Sequence, residues 1–183
     1  MRIAVQGAPG CFSQQAAFNL APAADILFTR DFSALFAALA QGLADRALVP
    51  VENSIVGPIA ATRAGLADPR FHPVGETRLQ IVHCLFAPPG VTIPAIRQVL
   101  SHPVALGQCQ RFLRLHPEWQ QIEYFDTAGS VEEIMTPGRE PSGTPRAAIA
   151  SARAGEIYAA CLLASDIGDR QDNFTRFVMI QPR

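Results

Sequence analysis

The chain has 183 residues, 49% of them hydrophobic, and a formal net charge of −1 at pH 7. A chain of this length can bury about 70% of the surface that its unfolded form exposes. Its balanced charge lacks the basic excess expected of a protein that binds nucleic acid or a membrane surface. All 15 basic residues are arginine, which excludes a Schiff-base lysine and a phosphate-loop lysine. A substrate carboxylate would therefore be bound by arginine, backbone amides or neutral donors.

The N-terminus and the cysteines support two further expectations. Residues 1–6 read as a strand and not as a basic and then apolar leader, and the apolar runs fall far short of the ~20 residues that span a bilayer. We therefore expect the mature chain to begin at Met1 and the protein to be cytoplasmic. The four cysteines show no spacing typical of a metal site, so we expect free thiols and no cofactor.

The first half of the chain alternates strands with helices, an order typical of a parallel sheet whose ligand loops follow the carboxyl ends of the strands. Residues 2–6 predict a strand, the sequence GAPG at residues 7–10 a turn, and Ser13 the cap of a helix. Such a turn binds an anion or is an ordinary connection, and the residues alone leave both open. The strand predicted at residues 47–51 leads into the polar sequence ENS at residues 52–54.

The middle of the chain is predicted to contain a long extended region and a helix. Residues 72–86 read as two extended segments. Within them His83 is better explained as a hydrogen-bonded core residue than as a ligand, since no partner lies at metal spacing. The sequence SHPVALGQC at residues 101–109 follows a strand and begins a helix expected to reach about residue 115. Gln108 in that helix lies near a pocket mouth or faces solvent.

The last third predicts a helix capped by Thr127 and a loop over residues 136–145, which contain three prolines and two glycines. Residues 177–180 read as a short buried strand, because the run is apolar and has polar residues on both sides. Thr175 and Arg176 would lie at the lip of this strand. The hydroxyl can donate or accept a proton, and the planar guanidinium matches a carboxylate. A surface turn that enters an edge strand is the alternative.

From the residues alone, these polar loops describe a two-lobed α/β protein that binds a small anionic ligand. Taken in series, however, three of them resemble the motifs of the prephenate dehydratase family, in the order in which that family has them. The matching sequences are ENS at residues 52–54, SHPVALGQC at residues 101–109 and TRF at residues 175–177, with further matches at residues 7–13, 127–128 and 147–151.

The resemblance implies an α/β fold of two lobes, similar to type II periplasmic binding proteins, with the active site in the cleft between the lobes. One lobe would hold about residues 1–77 and 160–183, and the other about residues 78–159. The implied activity is the decarboxylation and dehydration of prephenate to phenylpyruvate on the route to phenylalanine. Members of the family commonly pair through this domain, so we expect a homodimer.

Many members of the family also carry a C-terminal ACT domain that binds phenylalanine. Here the chain stops three residues after Ile180. We therefore expect that phenylalanine does not regulate this chain allosterically, because allostery requires two distinct sites.

The resemblance also assigns roles to individual residues. Thr175 would be the general acid that protonates the departing ring hydroxyl, with Asn53 and Gln108 as its partners in the catalytic site. One substrate carboxylate would be bound by Arg176 and backbone amides, whereas the carboxylate that leaves as carbon dioxide should meet neutral donors, because a strong ion pair would oppose its loss of charge. The implied substrate-binding residues are Ser13, Ser54, Thr127, Arg176 and Phe177.

Three motif positions depart from the family pattern. Cys11 replaces a threonine, Val104 replaces a glutamine, and Asp126 precedes Thr127 where the family generally has serine. These departures leave the substrate contacts open and allow a related substrate. Two other functions remain open. A prephenate decarboxylase would lose carbon dioxide without forming an aromatic ring, although the retained TRF counts against it. A non-catalytic module would bind a small acid on the same fold.

Overall fold

The computed structural model describes residues 1–138 and 143–183, which form two compact units with one sheet in each. The first unit comprises Met1–Ala8, Phe12–Ile81 and Asp172–Arg183, and the second comprises Pro9–Cys11 and Val82–Gln171. Helices accompany the strands of both units, so the predicted α/β class is confirmed. The predicted location of the active site stays a prediction.

The lobe boundaries were predicted near residues 77 and 160. In the structure the chain leaves the first unit after Ile81 and returns to it at Asp172. Strand β5 (Phe71–Gln80) continues to Gln80, which pairs with the first residue of β11 (Phe174–Pro182) in the first unit. Strand β10 (Cys161–Ala164) instead pairs antiparallel with β6 (Cys84–Ala87) in the second unit. Sheet pairing therefore assigns residues 78–81 to the first unit and residues 160–171 to the second.

The sheet of the first unit has six strands among the described residues, in the order β2-β1-β3-β11-β5, with β4 paired to β3. The remaining bounds are β1 (Arg2–Gln6), β2 (Asp25–Thr29), β3 (Arg46–Asn53) and β4 (Gly57–Pro58). The strands β1, β2 and β3 run parallel, whereas β11 is antiparallel to β3 and β5. Because the C-terminal strand inserts beside β3, the TRF sequence lies next to the ENS sequence.

Helices α1 (Phe12–Leu20), α2 (Phe32–Ala40) and α3 (Ala60–Leu66) belong to the first unit. Helix α2 begins after Asp31, whose side chain accepts the Ala34 N–H at 2.8 Å and so satisfies a free amide of the first turn. Its Leu35 and Leu39 recur at helical spacing and pack with Val49 in one apolar cluster. Full burial of such a leucine stabilises the fold by about 1.5–3 kcal/mol.

The sheet of the second unit has the order β10-β6-β9-β7-β8 among the described residues, with β7 (Gln98–Ser101), β8 (Gln120–Glu123) and β9 (Arg146–Ala150) parallel. These parallel strands lead into α4 (Pro103–Gly107), α6 (Thr127–Met135) and α7 (Ala152–Ile157). The carboxyl edge of the strands is the usual place for ligands in such sheets. The loop predicted for residues 136–145 includes residues 139–142, which lie outside the described residues.

One predicted helix is divided in two. Helix α4 ends with Gln108 as its C-cap, and α5 (Gln110–Leu113) begins after Cys109. The carboxylate of Asp169 accepts the N–H groups of Gln110 at 3.1 Å and Arg111 at 2.7 Å, which caps the second helix from a distant part of the chain. In the part of the chain that the structure describes, these and the other helices are too short or too polar to cross a bilayer.

Candidate functional site

The sequence predicted Thr175 at the lip of a short strand, but the residue lies inside β11. The strand begins at Phe174 because it pairs on both sides, and Thr175 lies opposite Asn53 on β3 and Leu79 on β5. Its side chain is buried, with 7% of the residue exposed. Phe177 points to the same face two residues further on and is also buried; its predicted contact with the substrate stays a prediction.

Asn53 and Thr175 are joined by a direct hydrogen bond. The Asn53 Nδ2 group donates to Thr175 Oγ1 at 2.9 Å, and Asn53 Oδ1 accepts the N–H groups of Ile55 at 3.0 Å and Val56 at 3.1 Å. Both ends of the amide are therefore held, and its orientation is defined. Because Thr175 Oγ1 accepts the bond from Asn53, the hydroxyl proton of Thr175 is directed away from Asn53.

Asn173 is a third member of this cluster that the sequence analysis did not assign to the site. It is buried, and its Oδ1 accepts a hydrogen bond of 2.7 Å from Asn53 Nδ2. Its carbonyl oxygen accepts the Ile81 N–H at 2.8 Å, which anchors the turn before β11. Asn173 thus helps to orient Asn53, and Asn53 in turn holds Thr175. The available signal was a polar amide two residues before Thr175.

Ser54 has a backbone role in the structure. Its hydroxyl donates to the carbonyl oxygen of Asp172 at 2.8 Å and accepts the Phe174 N–H at 2.9 Å. The Ser54 N–H also donates to the Phe174 carbonyl at 2.8 Å. These bonds fasten the start of β11 to the end of β3, so the ENS and TRF sequences are held in register. The predicted substrate contact of Ser54 stays a prediction, and the hydroxyl already has these two partners.

Arg176 points to the opposite face of the sheet from Thr175, because successive side chains of a strand alternate. Its guanidinium lies 3.7 Å from a carboxylate oxygen of Glu52 and 3.4 Å from one of Glu76. Together with other residues of β11 and β5, it lines a surface groove of about 470 Å³ on that face. This arrangement argues against the predicted role of Arg176 in binding a substrate carboxylate beside Thr175. Arg176 is therefore adjacent to Thr175 in the sequence, but its side chain lies on the other face of the sheet.

Gln108 belongs to the second unit, where it is paired with His83. The two side chains are buried, and His83 Nε2 lies 2.9 Å from Gln108 Oε1. The prediction that His83 is a hydrogen-bonded core residue is therefore confirmed. Burial lowers the pKa of His83, and the hydrogen bond to Gln108 opposes this effect. The placement of Gln108 relative to Thr175 stays a prediction.

The sequence predicted Thr127 as the cap of α6, but the cap is Asp126. The Asp126 Oδ2 atom accepts the Gly129 N–H at 2.7 Å, and Thr127 is the first residue of the helix. Asp126, which stands where the family generally has serine, therefore caps this helix. Ser13 was also predicted as a cap, but α1 begins at Phe12 and Ser13 is buried within its first turn. The predicted substrate contacts of Thr127 and Ser13 stay predictions.

Gly10 in the predicted anion loop packs directly onto α7. Its carbonyl oxygen accepts a hydrogen bond of 2.7 Å from the Ser151 hydroxyl, and the same hydroxyl accepts the Ala154 N–H at 3.1 Å. Gly10 has a φ of +91°, and a Cβ at this position would lie 2.5 Å from the Ala154 Cα. The loop therefore requires glycine for both its backbone angle and its close approach to the helix.

We expect Gly10→Ala to lower the free energy of unfolding by about 2–4 kcal/mol, because left-handed strain and overpacking both act. Gly42→Ala is the matched control, since Gly42 has a φ of +70° but open space around its Cα. Its expected loss is about 1–2 kcal/mol, from backbone strain alone. Urea unfolding of both variants measures the difference. Equal losses would show that the packing of Gly10 against α7 contributes nothing.

The cysteines are free, and Cys161 is exposed while the other three are buried. Burial raises the pKa of the Cys109 thiol to about 12 and also raises the pKa of Cys84. These two thiols are therefore protonated and unreactive at neutral pH. In residues 1–138 and 143–183, no three histidine, cysteine, aspartate or glutamate side chains lie together as a metal site would require.

A sequence model described as prephenate dehydratase matches residues 3–183. The chain belongs to the prephenate dehydratase family. The resemblance carried by the ENS, SHPVALGQC and TRF sequences is thereby confirmed. Arogenate dehydratase 1 of Petunia hybrida is 40% identical over an alignment of 183 positions that covers 98% of this chain and 42% of that relative. The chain thus spans less than half the length of this member of the family.

The solved structures that cover the whole chain include two whose descriptions differ. The prephenate dehydratase from Arthrobacter aurescens, in complex with L-Phe, matches with a TM-score of 0.88 and 26% identity, over 61% of that chain. GqqA, described as a novel type of quorum quenching acylases, matches with a TM-score of 0.86 and 32% identity, over 64% of that chain. The fold is therefore that of the prephenate dehydratase family. The cytoplasmic location and the homodimer stay predictions.

Proposed function

We propose that this chain catalyses the decarboxylating dehydration of prephenate or of arogenate. The bond between the ring and its carboxylate breaks, and its electron pair enters the ring as the bond to the ring hydroxyl breaks. Carbon dioxide and water leave, and an aromatic ring forms. Prephenate gives phenylpyruvate, and arogenate gives phenylalanine. Family membership supports the reaction class, and the relative named arogenate dehydratase supports the second substrate.

The observation that carries the proposal is the hydrogen bond of 2.9 Å from Asn53 Nδ2 to Thr175 Oγ1. Hydroxide is a poor leaving group, so the ring hydroxyl needs a proton as it departs. Because Asn53 donates to Thr175, the threonine hydroxyl keeps its own proton for the substrate. The same N–H stabilises the negative charge that develops on Thr175 Oγ1 when the proton is given away.

The absence of charge on the Thr175, Asn53 and Asn173 side chains supports the loss of carbon dioxide from the substrate. Thr175, Asn53 and Asn173 bring together one hydroxyl and two amides, while Arg176 lies on the other face of the sheet. Neutral donors orient a carboxylate without the strong ion pair that would resist its loss of charge. This arrangement suits a substrate whose ring carboxylate must leave as carbon dioxide.

Asp126 favours arogenate as the substrate. Both substrates carry a side-chain carboxylate, but arogenate has an ammonium group where prephenate has a ketone. The buried Asp126 directly precedes Thr127, a residue implied to bind substrate. Burial lowers the pKa of His102, and the negative charge of Asp126 opposes that lowering. A carboxylate here attracts an ammonium and repels an anion, by about 1 kcal/mol at 4 Å in water and more where water is excluded.

We expect Asp126→Asn to raise the ratio of kcat/KM for prephenate to that for arogenate by about tenfold, the equivalent of about 1.4 kcal/mol. Asparagine caps a helix as well as aspartate, so only the charge is removed. The matched control is Asp31→Asn, which removes the same charge from the cap of α2 and should leave the ratio unchanged. An unchanged ratio in Asp126→Asn, with both substrates turned over, would contradict this substrate choice.

An acylase activity is less well supported, although the description of GqqA raises it. A threonine nucleophile needs a base that accepts its hydroxyl proton, whereas Asn53 is a donor to Thr175 Oγ1. Incubation of the unmodified protein with arogenate, prephenate and an N-acylated amine tests the proposal. We expect aromatic products from the first two and no hydrolysis of the third. Binding of arogenate or prephenate without consumption would instead identify a non-catalytic module.

A further inference from the structure

His83 and Gln108 form a pair in the second unit whose protonation is determined by its partners. The Gln108 Oε1 atom can only accept a hydrogen bond, so at 2.9 Å the proton between the two side chains belongs to His83 Nε2. Both residues are less than a tenth exposed. Burial lowers the pKa of His83, which keeps the ring neutral at pH 7. The neutral Nε2–H tautomer is therefore the form that contacts Gln108.

The backbone around this pair is held by one short segment, residues 167–169. The Ile167 N–H donates to the His83 carbonyl oxygen at 3.0 Å, and the Asp169 N–H donates to the Gln108 carbonyl oxygen at 2.7 Å. Gly168, between Ile167 and Asp169, lies close to both residues of the pair. A Cβ built on Gly168 would be 3.9 Å from His83 Cδ2 and 3.9 Å from the backbone carbonyl oxygen of Gln108. Three consecutive residues thus hold the backbone of both His83 and Gln108.

The bond to His83 determines which end of the Gln108 amide points elsewhere. With Oε1 held by His83, the NH₂ group is turned to the other side, and the residue presents a donor there. The terminal torsion of glutamine is broad and roughly two-fold, so an unheld amide can also present its oxygen. An oxygen in that place would repel a substrate that carries carboxylates.

We propose that His83 is a positioning residue that holds Gln108 with its NH₂ group toward the substrate. The inference rests on the proposed function, and it extends that function to a residue outside the family motifs quoted above. His83 does not touch the substrate in this account. It acts only through Gln108, and that restriction makes the proposal testable.

A double-mutant cycle with His83→Leu and Gln108→Leu measures the coupling. We expect His83→Leu to lower kcat/KM for the better substrate about 10- to 100-fold in the parent, because the amide loses its fixed orientation. In the Gln108→Leu background, His83→Leu should change kcat/KM less than twofold. Gln108→Glu should lose activity as Gln108→Leu does, because it keeps the acceptor for His83 but has no donor.

The control is a second histidine–glutamine pair in the first unit. His72 Nε2 lies 3.4 Å from Gln181 Nε2, at the end of β11 remote from Thr175. We expect His72→Leu to leave kcat/KM unchanged, which excludes a general effect of replacing a histidine that contacts a glutamine. Circular dichroism and urea unfolding report whether each variant is folded.

A spectroscopic measurement tests the pair even where His83→Leu does not fold. In the unmodified protein at pH 7, ¹⁵N nuclear magnetic resonance of the His83 ring should show the neutral tautomer with the proton on Nε2. A proton on Nδ1 would mean that Gln108 donates to His83, and it would overturn the proposal.

The outcomes of the cycle separate this inference from the proposed function. Equal losses from His83→Leu in both backgrounds, with turnover in the parent, would overturn the positioning role alone. A parent that consumes neither arogenate nor prephenate would overturn the proposed function, and the role of His83 would be overturned with it.

Discussion

Replacing Thr175 by valine is expected to lower turnover by about 10²–10⁴-fold, which is about 3–5 kcal/mol in the activation free energy. Valine has nearly the volume of threonine but has no proton to give to the departing hydroxyl. Thr175→Ser should keep measurable turnover, because serine retains the proton and loses only the methyl group that restricts the first side-chain torsion. Steady-state rates of aromatic product formation measure both effects.

The stability of Thr175→Val should change much less than its activity. Asn53 Nδ2 loses one acceptor but keeps Asn173 Oδ1 and the Phe174 carbonyl oxygen, so the expected loss is about 1–2 kcal/mol. Thr62→Val is a matched control, since Thr62 is a buried threonine of the first unit whose hydroxyl donates to Pro50 at 2.9 Å. It should lose comparable stability and retain turnover. Aromatic product from Thr175→Val at the rate of the parent would show that Thr175 is not the acid.

Asn53→Asp is expected to reduce turnover by at least about 10²-fold, the lower end of the range for losing general acid catalysis. Aspartate keeps an oxygen for the Ile55 and Val56 N–H groups, so the turn after β3 is preserved. It has no N–H to donate to Thr175, and its carboxylate would accept the threonine proton instead. The acid would then be directed away from the substrate.

The control for Asn53→Asp is Asn19→Asp, which adds the same charge at an exposed position of α1. We expect the control to keep the kinetics of the parent. Comparison of kcat/KM across the three proteins, with urea unfolding to confirm the folded state, gives the result. If Asn53→Asp retains the turnover of the parent, the hydrogen bond from Asn53 to Thr175 has no part in catalysis.

The family motifs singled out both Asn53 and Thr175, which the structure joins by a hydrogen bond, whereas it places Arg176 on the other face of the sheet. The apolar run at residues 177–180 suggested a strand that begins at Phe177, so Thr175 and Arg176 were both assigned to its lip. Hydrogen-bond pairing with β3 and β5 extends the strand back to Phe174. Once both residues are inside a strand, alternation places them on opposite faces. Pairing of this kind depends on distant residues and leaves no local pattern.

The same limit applies to the helices of the second unit. The start of the second helix depends on Asp169, which caps it from a distant part of the chain and leaves no pattern near Gln108. The cap of α6 was predictable in kind, since aspartate, serine and threonine all favour that position. The choice between adjacent Asp126 and Thr127 required the observed bond to Gly129.

His83 illustrates what local patterns do and do not provide. A lone histidine in an apolar stretch predicted a hydrogen-bonded core residue, and the structure confirms it. Its partner lies 25 residues away, so sequence reasoning had no means to identify Gln108. The family resemblance singled out Gln108 for a different reason, and only the structure joins the two.

In the proposed reaction, this chain couples loss of carbon dioxide to loss of water and so forms an aromatic ring. The direct measurement is the ratio of carbon dioxide released to aromatic product formed by the unmodified protein, with arogenate and with prephenate. We expect one carbon dioxide for each phenylalanine or phenylpyruvate. Release of carbon dioxide with a non-aromatic product would identify a decarboxylase instead and would contradict the role given to Thr175.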